Sequence, residues 1–120
     1  MKTNIRLEEK QIVLDGNLYT LHVNMSVLDR LQESNGGEIG PMLKKSVGDA
    51  MAEIMAAMLN DSAEDKGWDE EWTAKKVKKT FTLAAMKELD VFGMFARALS
   101  PVDDASQKTK EADPEDKTGN

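Results

Sequence analysis

The chain has 120 residues, a formal net charge of −6 and a pI near 4.8. Its length fits one domain, and its acidity argues against a nucleic-acid partner, because phosphate neutralisation needs a basic face. The absence of cysteine excludes disulfides, thiolate metal sites and cysteine nucleophiles.

The opening MKTNIRLEEKQIVLDG holds no apolar run of signal-peptide length, and no stretch approaches the ~18 apolar residues of a spanning helix. The expectation is a cytoplasmic protein with no membrane partner. Residues 10–24 read as a β-hairpin. Asp15-Gly16 suits a type I′ turn, which needs positive φ at both central residues. A two-residue loop sets Val13 opposite Leu18 and Ile12 opposite Tyr19. The pleat then places Ile12, Leu14, Tyr19, Leu21 and Val23 on one face, with Gln11, Thr20 and His22 on a wet one. A lone hairpin is marginal in water, so helices must cover its apolar face.

The rest of the chain supplies them. Ser26 is a candidate N-cap for a helix over about 26–34, which Asn35-Gly36-Gly37 ends. Residues 41–60 give the clearest helical period, with Leu43, Val47, Met51, Ile54, Met55 and Met58 recurring at spacings of three and four. Residues 60–67 read as a polar linker. Asp69 is a candidate N-cap for a helix over 69–80 that buries Trp72 and Val77. Its acidic start and lysine-rich end complement the helix dipole. A last helix over 82–99 carries Leu83, Met86, Leu89, Phe92, Phe95 (or Ala96) and Leu99 on one face, Gly93 marks a bend or close approach, and Ser100-Pro101 ends it. Residues 101–120 lack apolar periodicity and carry mixed charge, the composition of a disordered tail. The fold class is therefore α+β: one domain over 1–100, a β-hairpin on three to four helices, then an acidic tail.

Catalytic equipment is absent from this reading. His22 is the single histidine and has no second ligand at metal spacing. No nucleophile elbow, phosphate-binding glycine loop or EF-hand pattern is present, and the acidic runs read as solvated. The expectation is a protein that is not an enzyme and needs no cofactor or metal. The unusual feature is methionine, with 8 residues in an aromatic-poor chain. Two uses fit: filling the core, or lining an adaptable groove for an amphipathic partner helix. The candidate binding residues are Met51, Ile54, Met55, Met58, Trp68 and Trp72.

The stretch Ile12–Leu28, IVLDGNLYTLHVNMSVL, resembles the opening of many bacteriophage tail assembly chaperones. In that family a hairpin of the form apolar, Asp/Asn-Gly, Lys/Asn, x, Tyr, x, Leu steps into a helix. An alanine-rich helix follows, matched by AMAEIMAAML at 50–59, then a charged helix and a last apolar helix, matched by Trp72–Val77 and Leu83–Leu99. The resemblance covers about residues 10–100. It implies a chaperone that keeps the tape measure protein soluble in the infected cell's cytoplasm while tube subunits polymerise, and that leaves before the virion is finished. The tail tube protein is a second candidate partner. The alternatives are a small structural tail or connector component, and a regulator that binds a host protein.

Overall fold

The computed structural model describes residues 8–100; the expected disordered tail at 101–120 lies outside them. Within that range the architecture is α+β, an N-terminal antiparallel hairpin packed on helices. Strand β1 (Glu9–Leu14) pairs with β2 (Asn17–His22) in the register the turn dictates, with Val13 opposite Leu18 and Ile12 opposite Tyr19. Asp15 and Gly16 both take positive φ, 50° and 80°, as a type I′ turn requires. Tyr19, Leu21 and Val23 are buried on the inner face, and Ile12 and Leu14 are partly buried beside them.

Helix α1 (Met25–Ser34) starts one residue earlier than expected. Its cap is Asn24, whose Oδ1 accepts the Val27 N–H at 2.8 Å. The helix expected over 41–60 is two helices. A short turn, α2 (Gly40–Leu43), ends at Lys44, and α3 (Val47–Asp65) starts from its own cap, Ser46, which accepts the Asp49 N–H. That break leaves Leu43 and Val47 in solvent instead of on the buried stripe. Helix α3 also runs through the expected linker to Asp65, because Asp61, Ser62 and Ala63 are buried there, and Asp61 and Ser62 hold partners on the hairpin side.

Helix α3 is the axis of the molecule. It packs against α1, β2, α4 and α6. Helix α4 (Ala74–Thr80) is shorter than the expected 69–80 and is capped by Thr73, not Asp69. The preceding strip is held extended by Asn60, whose amide donates to the Trp72 carbonyl and accepts the Trp72 N–H, at 2.9 and 2.7 Å. The last apolar segment is also split, into α5 (Leu83–Glu88) and α6 (Val91–Leu99). Asp90 turns the chain between them in the left-handed region, φ 58°, which aspartate tolerates better than bulky residues. Its carboxylate folds over Gly93, where a Cβ would collide with it, so the close approach expected at that glycine is to Asp90.

Side chains of α3 also close the outer edge of β2. Ser62 Oγ accepts the Thr20 N–H at 3.0 Å, and Lys66 Nζ donates to the Leu18 carbonyl at 2.6 Å. On β1, Lys10 Nζ donates to the Leu89 carbonyl at 2.7 Å, tying the hairpin to the end of α5.

Candidate functional site

Five of the six candidate binding residues are core. Ile54 and Met55 are 0% exposed, Met58 1%, Met51 4% and Trp72 7%. The reason is the central position of α3. A helix flanked by four elements must be apolar on most of its circumference, so a wide stripe there marks enclosure and not a surplus surface. Apart from Met51, which borders a surface groove, the methionine stripe is therefore enclosed in this fold.

The tryptophans are structural anchors. Trp68 is half-buried and meets Tyr19 edge-on at 5.0 Å, and Trp72 meets the same ring at 6.2 Å. Lys76 lies over the Trp72 ring, 4.2 Å from its centre. Glu70 joins the set by accepting the Tyr19 hydroxyl at 2.6 Å and the Trp72 indole N–H at 2.8 Å. Burial and the nearby Glu70 carboxylate push the Tyr19 phenol up to about 12. The hydrogen bond from Tyr19 in turn holds Glu70 below the usual carboxylate range.

His22 is less wet than the alternation implies. Its side chain is 14% exposed and its Nε2 lies 3.3 Å from Asp61 Oδ2 on α3. Asn24 Nδ2 donates to the same oxygen at 3.0 Å. Burial opposes the charge on Asp61, but hydrogen bonds from Ser26, Asn24 and His22 outweigh it and hold the carboxyl below its ordinary range. The grouping of serine, histidine and aspartate is not a nucleophile relay. Ser26 bonds to the aspartate and Ser62 to the Thr20 amide, so neither hydroxyl is aligned with the imidazole, as a relay would need. The cluster fastens β2 and α1 to α3. Among the described residues, no group of three or more histidine and carboxylate side chains is placed to hold a metal ion, and no helix is long and apolar enough to cross a membrane.

Depressions among the described residues differ in polarity. One is a polar cleft of about 430 Å³ between α1, α3 and residues 71–74. Of its three acids, Glu53 takes Lys45 and the Asn35 amide, while Glu33 and Glu71 make no ion pair among the described residues; in a neighbouring hollow Arg30 pairs with Glu64. The apolar floor beneath, Leu31, Ala56 and Ala57, is sealed.

The other is an apolar groove of about 240 Å³, formed by Gly48, Met51 and Ala52 of α3, by Val77, Lys78 and Phe81 of α4 and its C-cap, and by Leu83 and Met86 of α5. It is smaller than the ~300–1,000 Å³ usual for small-molecule sites, so it suits side chains inserted by a partner. Leu83 is 51% exposed on its rim, and Val47, the residue before Gly48, is 56% exposed. Met51 is the one candidate residue that reaches this groove. Gly48 and Leu83 are not legible as groove residues, because the apolar period places each inside an unbroken helix, and Phe81 falls between two expected helices. The available signals were the polar step Lys44-Lys45-Ser46 and the Thr-Phe-Thr sequence at 80–82, both of which end helices and bring three of them to one place. Compared with protein families, with curated proteins and with solved structures, the chain matches none.

Proposed function

We propose that this chain is a binding protein of the tail assembly chaperone kind, which holds a tape measure protein soluble in the infected cell and leaves before the virion is complete. The observation that carries the reading is the open apolar groove between α3, α4 and α5. Its Met51 and Met86 walls can repack around different side chains, which suits a partner whose long helices present many similar faces. The order of hairpin, alanine-rich helix, charged helix and apolar helices, which the family resemblance implies, supports it. The chaperone acts by covering apolar helical surface and performs no chemistry.

The test is co-expression with the tape measure gene product of the same genome. The expected result is a tape measure chain that stays soluble with this protein and precipitates without it. Equal solubility in both cases overturns the proposal, and stoichiometric presence of the chain in purified particles replaces it with a structural tail role.

A further inference from the structure

Helix α4 is a local inversion of the protein's charge. Lys75, Lys78 and Lys79 stand at i, i+3 and i+4 on one face, and Lys78 lines the groove. Lys87 lies four residues after Leu83, on the same side of α5 as that groove residue and exposed. Against these cations the α3 wall offers Asp49, which Lys78 already pairs, while α5 carries the exposed Glu88. Among the described residues, Lys75, Lys79 and Lys87 make no ion pair within the protein. These exposed ammonium groups put positive charge beside the groove on a chain of net charge −6, so an acidic partner would meet a complementary local field there.

Gly48 adds a second, independent point. It sits at the second position of α3, where alanine would favour the helix, and a Cβ there would meet no atom within 4 Å. Nothing inside the molecule requires a glycine, and its φ is one that any residue adopts. A missing side chain on the groove wall lets another backbone come close.

We infer that the groove receives an amphipathic helix whose apolar stripe is flanked by Asp and Glu, with its backbone lying against Gly48 and its acids meeting Lys75, Lys79 and Lys87. This deepens the proposed chaperone reading by naming the partner face, and rests on that reading only for the partner's identity. Complementary charge of this kind sets orientation and association rate, and it fades as salt rises.

The experiment uses the full chain and two designed 18-residue fluorescent helices with the same leucine stripe, one flanked by Glu and the other by Lys, read by anisotropy. The acidic peptide is expected to bind at least tenfold tighter than the basic one in low salt, and the difference to shrink in high salt. Gly48→Leu fills the groove without touching the core, so binding should fall at least tenfold while the melting temperature holds or rises. Lys75→Glu with Lys79→Glu should reverse the peptide preference. Equal binding of the two peptides, no binding of either, or undiminished binding by Gly48→Leu overturns the inference. So does a dimer in sedimentation that Gly48→Leu splits, since a second copy would then be the occupant. The co-expression assay separates the two ideas: a tape measure chain kept soluble by Gly48→Leu as well as by the wild type leaves the chaperone reading standing and removes the groove from it.

Discussion

Met55 decides between a methionine surface and a methionine core. It is 0% exposed on α3, the helix that touches α1, β2, α4 and α6. Replacing it with alanine removes the thioether and leaves a void that close packing cannot collapse. Buried Met→Ala changes cost about 2–5 kcal/mol, a large part of the 5–15 kcal/mol that holds a domain together. For a folded unit of this size each kcal/mol moves the melting temperature by about 4–8 °C, so Met55→Ala should lower it by roughly 8–40 °C. Met55→Asp buries an unpaired carboxylate and should abolish the helical circular dichroism signal altogether. Leu83→Ala, at a position 51% exposed, should leave the melt within a few degrees and weaken partner binding. Thermal melts followed by circular dichroism, with binding measured on the variants that stay folded, check all three. A Met55→Asp protein with native helicity and lost binding would refute the core assignment and restore the stripe as a surface.

Tyr19→Phe tests the aromatic cluster through alkaline pH. The native phenol holds its proton to about 12, whereas the unfolded phenol loses it near 10, so stability is intact below pH 10 and falls as pH rises towards 12, by up to about 1.4 kcal/mol per pH unit. Urea titrations should show that part of the decline missing in Tyr19→Phe. Asp61 has the opposite sign: its carboxyl is held below the ordinary range, so its contribution is present above pH ~4 and is lost as acid protonates it. Asp61→Asn should therefore flatten the acid limb of the stability curve, and Asp61→Ala should cost about 1.5–3 kcal/mol at neutral pH in denaturant melts. Asn60→Ala strips both partners from the Trp72 backbone and should cost about 2–4 kcal/mol, with a loss of near-ultraviolet tryptophan dichroism that reports release of the 68–73 strip.

The hairpin was legible to the residue because its turn chemistry and its two-residue period agree. Asp15-Gly16 can close only one register that also buries Tyr19 and Leu21 together. Helix boundaries were less legible where apolar spacing runs across a break. Leu43 and Val47 keep the helical period, yet Ser46 caps a new helix between them. Leu89 and Phe92 do the same across the left-handed Asp90. Caps are decided by single side-chain hydrogen bonds, which periodicity does not register. The enclosure of the α3 stripe is illegible for a related reason. The width of the stripe on α3 counts the neighbours that surround it, and no local pattern in the sequence states how many there are. The groove arises where three helix ends meet, and Gly48, Phe81 and Leu83 share no spacing that would group them.

Ser62 and Lys66 carry a consequence for how the protein behaves in a crowded cell. By taking the Thr20 amide and the Leu18 carbonyl, α3 fills the outer margin of β2 where a third strand would add. Those two residues lie opposite Gln11 and Val13, whose own amides point away on the β1 side, and among the described residues no side chain claims them. Among the described residues, the margin left open to an extended chain is thus that of β1, which starts with Glu9 and Lys10 and exposes Val13. Charge at that margin is a common guard against fibre growth. Whatever exposure to clumping the described hairpin carries therefore sits on one short strand.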